Sequence, residues 1–265
     1  MSEKSAIQWT DATWNIARGC TKVDADCKYC YMYRDSFDSH RYDPLQVVRT
    51  KTVFDMPLRY KETKSAVWSG RPLVFTNSLT DFFHESIDGY RKEAWDIIRK
   101  CPHLIFQILT KRPERIADHL PPDFGDGLEN VWFGTSVGHK TAKNRLWDLS
   151  HLTTTCKTFV SFEPLWERLD FDNEDLSTIM SFDWVIIGGE SGNDTGKYRY
   201  RPCEIEWMKE ISEAFSSCGV PVFVKQMGTY LSKSLGMSDR HGSNINEFPL
   251  ALRKREFPHP QQIKL

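Results

Sequence analysis

Six short runs of aliphatic, β-branched and aromatic residues return along this chain at intervals of about 30 residues, the length of one strand–helix–strand unit. The runs are Leu73–Thr76 (LVFT), Leu104–Leu109 (LIFQIL), Val131–Gly134 (VWFG), Thr158–Phe162 (TFVSF), Trp184–Ile187 (WVII) and Val220–Val224 (VPVFV). Amphipathic stretches fill the gaps. Tyr90–Lys100 places Ala94, Trp95, Ile97 and Ile98 on one side and stops at Cys101-Pro102. Arg112–Leu120 opens on Pro113, a favoured first helical position. Thr141–Leu152 and Glu204–Ser217 follow the same pattern, and Asp175–Met180 is a shorter candidate. Strands that alternate with helices run parallel, with right-handed crossovers and both faces covered.

A first strand near Trp14–Arg18 brings the number to about seven. The expected fold is therefore α/β: a parallel, TIM-like β/α barrel, partial or near-complete. One domain is expected over residues 1–265. Residues 1–70 hold a cysteine loop and the first β/α unit, with a less regular connection and a helix around Met56–Lys64. Residues 71–228 hold the repeated units, and 229–265 an irregular tail rich in Gly and Pro, wrapped over one end of the barrel. A chain of 265 residues with 40% hydrophobic residues suits one such barrel.

With a net charge of −1, no global field selects nucleic acid or membrane. No apolar run approaches the ~20 residues of a membrane span, so no membrane partner is expected. The polar start, MSEKSAIQWTD, carries no export pattern, and seven cysteines, an odd number, suit a reducing compartment. The expected location is the cytoplasm.

In parallel α/β folds ligands bind at the carboxyl ends of the strands. Here those ends are polar: Thr76-Asn77-Ser78-Leu79-Thr80-Asp81, Thr110-Lys111-Arg112, Thr135-Ser136, Ser161-Phe162-Glu163-Pro164, Gly188-Gly189-Glu190-Ser191-Gly192 and Lys225-Gln226. Around one ring they would converge on a pocket of carboxylates, cations and hydroxyls. The cysteine triplet Cys20, Cys27 and Cys30 follows the first strand and opens on the same end. Three thiols on one loop point to a metal or cluster. A disulfide would strand one of them. A zinc site would need a fourth ligand, for which His40 is available. An Fe–S cube normally takes four cysteines, so three leave one iron free for a substrate or cofactor. Cys203, in the loop after Gly192, lies on the same side as a fourth ligand, a hydrogen-atom donor or an inert thiol. His84 could be a satisfied loop residue or a site group. Lys197–Arg201 (KYRYR) interleaves basic and aromatic residues as nucleic-acid loops do.

The C-x6-C-x2-C triplet, with Tyr29 before the last cysteine, resembles the cluster loop of the radical S-adenosylmethionine superfamily, whose common spacing is C-x3-C-x2-C. A closer likeness covers nearly the whole chain. WTDATWN, GCTK, CKYCY, SLTDFFHE, FQILTKRPER, VWFGTSV, SFEPL, DWVIIGGESG and VPVFVKQMG resemble the phage-associated three-cysteine-motif proteins, a radical-S-adenosylmethionine-like family. The resemblance implies a 4Fe–4S cluster on Cys20, Cys27 and Cys30, with S-adenosylmethionine on the fourth iron beside Tyr29. It implies reductive cleavage to a 5′-deoxyadenosyl radical, with a reductant such as flavodoxin or ferredoxin. The superfamily's Gly-Gly-Glu after the second strand is replaced here by Asn77 to Asp81, and Gly-Gly-Glu comes late, at Gly188 to Glu190. Asn77, Ser78 and Asp81 are therefore expected near the cofactor amine, and Lys111, Ser136 and Glu163 near its carboxylate or ribose. Glu190, Lys225 and Cys203 are the candidates for chemistry, with Glu190 also a cofactor contact. A nucleotide or nucleic acid is the substrate class suggested by the phage setting. The alternative is a non-catalytic Fe–S or zinc-binding partner protein of a phage-linked system.

Overall fold

A computed structural model describes residues 4–33, 43–152 and 154–259. His40 lies outside the described residues. The strands are β1 (Ala12–Trp14), β2 (Ala17–Arg18), β3 (Val48–Arg49), β4 (Leu73–Thr76), β5 (Ile105–Thr110), β6 (Val131–Ser136), β7 (Lys157–Leu165), β8 (Trp184–Gly189) and β9 (Val222–Gln226). The helices are α1 (Arg91–Lys100), α2 (Asn144–Ser150), α3 (Asn173–Ile179), α4 (Ile205–Ser217) and α5 (Gly228–Ser234). Seven strands form one all-parallel sheet in the order β1-β4-β5-β6-β7-β8-β9, curled into a half-barrel with β1 and β9 at its edges. Each strand pairs with the one before it, so all the carboxyl ends share one rim.

All six strand runs read from the sequence are strands. The first strand is Ala12–Trp14, earlier than expected. Ala17–Arg18 instead pairs antiparallel with Val48–Arg49 in a separate two-stranded ribbon. Arg112–Leu120 forms two 3₁₀ turns, Pro113–Arg115 and Ala117–His119, and no α-helix. The Met56–Lys64 helix is likewise one 3₁₀ turn, Met56–Arg59. The tail begins with α5, a helix the sequence did not announce, and then runs along the β9 edge. There Val224 N–H donates to Lys254 O (2.9 Å) and Glu256 N–H to Val222 O (3.0 Å). The tail thus covers backbone that an open edge would leave unpaired.

Strand alternation sorts the side chains onto two faces. The helix-covered face holds Val74, Phe106, Ile108, Phe133, Val160, Val185 and Val222, packed with Trp95 of α1, Leu146 of α2 and Phe215 of α4. The concave face carries a second apolar cluster of Trp9, Leu73, Phe75, Ile105, Trp132, Phe159, Trp184, Ile186 and Phe223. Trp184 is its hub, with ring contacts to Trp9, Trp132, Phe159, Phe223 and, from the tail, Phe257. Each such buried side chain contributes about 1.5–3 kcal/mol. This aromatic floor fills the amino end of the concave face.

Candidate functional site at the carboxyl ends of the strands

Along each strand the concave face turns from aromatic to polar. On β6 it runs Trp132, Gly134, Ser136, and on β7 Phe159, Ser161, Glu163; Ser136 is in register with Ser161. Both serines are buried, and neither hydroxyl has a hydrogen-bond partner among the described residues. Glu163 pairs with Lys225 of β9 across the intervening β8. Gly188 lets it do so: a Cβ there would lie 3.1 Å from Glu163 Cγ and 3.2 Å from Cδ. Ser136, Ser161, Glu163 and Lys225 thus stand toward the carboxyl ends of β6, β7 and β9.

The cysteine loop lies over the same rim. Cys20, Cys27 and Cys30 are free thiols, with Cys27 buried and the other two half-buried. Burial, reinforced by Asp81, pushes the Cys20 thiol up to about 11. Burial also raises Cys30, against the opposing pull of Lys111. Lys111 itself loses some preference for its charged form by burial, but Cys27, Asp26 and Cys30 outweigh that and its pKa is raised. The Lys111 ammonium has no hydrogen-bond partner among the described residues, so the nearby thiols face a cation with unused donors.

The segment after β4 is fastened to this loop. Gly19 N–H donates to Leu79 O (3.1 Å), Tyr31 Oη to Ser78 O, and Asn15 Nδ2 to Ser78 Oγ (3.1 Å). Asn77, at φ +65°, accepts from Ile16 N–H through Oδ1 (3.0 Å). Its Nδ2 and the Thr80 hydroxyl are buried without a partner. Asp81 is fully engaged. Oδ1 accepts from Thr110 Oγ1 (2.7 Å) and Phe83 N–H (2.9 Å), and Oδ2 from Lys111 N–H (2.9 Å) and Arg112 Nη1 (3.3 Å). Arg112 continues to Thr21 O and Oγ1, and Thr21 meets His84 Nε2 at 2.9 Å. Asp81, Arg112 and His84 therefore brace the loop.

Glu190 is also occupied. Arg201 donates to it from Nε and Nη2, and again from its backbone N–H (2.8 Å). The same guanidinium reaches Ala25 O (2.8 Å) and lies 4.1 Å over the Trp166 ring and 5.6 Å over Tyr29. From the KYRYR run, Arg201 thus closes onto the cysteine loop. Cys203 points into the helix-covered core, 1% exposed, and burial raises its thiol to about 12. The structure does not bring it to the pocket with the other candidates.

Five groups went unread in the sequence: Asp24, Asp26, His139, Arg145 and Trp166. Asp24, Asp26 and His139 offer ligand atoms within 4.8 Å of one another, the one such group among the described residues. Arg145 fills the place a cation would take, pairing with both carboxylates. The signal available was Asp-x-Asp beside a cysteine. The three thiols are not drawn together within that distance.

Compared with known proteins, residues 4–254 match the model of a family described as protein of unknown function (DUF5131). No curated protein and no solved structure matches the chain. Among the described residues no helix is long and apolar enough to cross a membrane.

Proposed function

The chain belongs to the DUF5131 family, and we propose that it is a radical S-adenosylmethionine enzyme built on a partial TIM-like barrel. Cys20, Cys27 and Cys30 would hold a 4Fe–4S cluster, three cysteines leaving one iron for S-adenosylmethionine. The observation that carries this reading is the meeting of three free thiols with a rim of unpartnered polar groups over an aromatic floor. When bound, the reduced cluster would supply the electron for reductive cleavage of S-adenosylmethionine, and so radical hydrogen-atom abstraction from a substrate.

The donor set fits this group better than a lone zinc ion. A tetrahedral zinc at ~2.3 Å from each sulfur would draw the sulfurs to about 3.8 Å of one another. Thiolates on three different irons stay further apart, and the three thiols here do not all lie within 4.8 Å of one another. Seven free cysteines suit a reducing, cytoplasmic setting, and flavodoxin or ferredoxin is the class of reductant.

The chain's own groups then divide the work. Lys111 holds the cofactor carboxylate as a point charge. Ser136 and Ser161 would serve its ribose, and Tyr29 would cover it from the cysteine loop. Glu163 and Lys225 face the substrate side. Asp81 and Glu190, each saturated by an arginine, position other groups, and the cofactor amine is met by the loop around Asn77 and Ser78. The substrate class proposed is a nucleotide or nucleic acid.

The saturation of Asp81 and Glu190 also favours a second reading, a non-catalytic Fe–S or zinc-binding partner protein, because it occupies both Asp81, expected at the cofactor amine, and Glu190, expected as a cofactor contact. One experiment separates the two. The chain is reconstituted with iron and sulfide anaerobically, reduced and given S-adenosylmethionine, and 5′-deoxyadenosine is measured by chromatography. Product that disappears in Cys20→Ala, Cys27→Ala and Cys30→Ala establishes the enzyme. A reducible cluster without product, across candidate nucleotides, leaves the partner protein.

A further inference from the structure

The gap between Cys20 and Cys27 holds six residues, and two of them, Asp24 and Asp26, turn their carboxylates back into the fold. Asp24 caps the short turn Ala25–Cys27 by accepting from Asp26 N–H (2.9 Å). Its Oδ2 meets His139 Nε2 at 3.2 Å and pairs with Arg145 Nη2. Asp26 is completely buried. It accepts from Trp166 Nε1 (2.7 Å), Gly138 N–H (3.1 Å) and Arg145 Nη1 (3.5 Å). Arg145 Nη1 also donates to Ser136 O (2.9 Å), so one guanidinium ties the loop to the end of β6. Gly138 is shaped for this contact: a Cβ would stand 2.4 Å from Asp26 Oδ1 and 2.1 Å from Pro164 O.

We propose that Asp24 and Asp26, locked by Arg145, His139, Trp166 and the Gly138 amide, are positioning residues that order the cysteine loop before metal arrives and set the charge beside Cys27. The lengthened spacing is then a built-in staple. The ordering half stands on the hydrogen bonds alone. The charge half rests on the cluster reading, because a buried carboxylate one residue from a cluster thiolate acts through a medium of low dielectric. Arg145, with its side chain 5% exposed, acts through the same medium with the opposite sign.

Two measurements test the two halves. In the full chain stripped of metal, alkylation of Cys27 is followed by mass spectrometry for Asp26→Asn, Arg145→Met and Gly138→Ala. The expected result is labelling about tenfold faster than wild type, equivalent to ~1.4 kcal/mol of local opening. Gly138→Ala changes no charge, so it reports the geometry alone. Asp24→Asn, at a partly exposed carboxylate, serves wherever another variant fails to fold. Wild-type labelling rates in all the folded variants would overturn the staple. In reconstituted protein, the midpoint potential should rise in Asp26→Asn, which removes a negative charge, and fall in Arg145→Met, which removes a positive one. A loop that is merely loosened moves both variants the same way, and that result would overturn the charge half. If wild-type chain takes up no cluster, the cluster reading has failed while the labelling comparison still decides the staple.

Discussion

Arg201 holds Glu190 through two parallel hydrogen bonds, Nε to Oε2 and Nη2 to Oε1, each 2.7 Å long. The carboxylate is 5% exposed and the guanidinium 14%, so the pair is largely removed from water. Removing one partner of such a pair costs about 3–5 kcal/mol. We expect Glu190→Ala to lose stability in that range by urea denaturation of the metal-free chain, and Glu190→Gln to lose less. Unchanged stability together with lost S-adenosylmethionine binding would make Glu190 a cofactor ligand instead.

The three loop cysteines should act as a set. Cys20→Ala, Cys27→Ala and Cys30→Ala are each expected to lose most of the iron and sulfide that reconstituted wild type holds, by metal analysis and visible absorption. Cys203→Ala, whose thiol points into the core, should keep the full complement. Full iron in each loop variant would rule out the proposed ligands.

The raised Cys20 thiol gives a pH signature in the metal-free chain. It titrates near 9.0 when exposed and at about 11 in the fold, chiefly through burial. The fold therefore binds the proton more tightly than the unfolded chain does. Its contribution to stability is complete below pH 9 and is lost as pH rises through about 11. At pH 8, alkylation of Cys20 should run about 100-fold slower in folded than in denatured chain, the factor a two-unit pKa difference gives. Equal rates would show that the thiol is not held as described.

The aromatic floor should be separable from the cluster. Trp184 is fully buried and packs against five rings, so Trp184→Ala is expected to cost about 3–5 kcal/mol. Where that variant folds, its iron content should match wild type. A loss of iron at unchanged stability would mean that the floor shapes the cysteine loop directly.

The strands were legible because each is a buried parallel strand and so reads as a continuous apolar run; Val131–Ser136 and Trp184–Gly189 are buried at every position. Arg112–Leu120 misled because Pro113 starts a 3₁₀ turn as readily as an α-helix, and Arg112 is held outside the turn by Asp81. Helix α5 was hidden because it opens on Gly228, a poor helix former, here at φ +84°. In the site, the polar strand ends and the cysteines declared themselves by residue type. Which carboxylates stay available did not, because Asp81 and Glu190 are claimed by arginines that only the fold brings near. Arg145 stands 119 positions from Asp26, beyond any local pattern.

The same separation sets an order of events during synthesis. The cysteine loop leaves the ribosome early, but Arg145 and Trp166 follow much later, and Arg201 comes 176 positions after the Ala25 carbonyl it clasps. Until then a nascent chain carries three thiols on a loop that lacks these later clasps. Under the proposed reading, metal delivered at that stage would meet an incomplete cradle. A product truncated before Arg201 would keep every cysteine of the triplet and still lack the far side of the clasp.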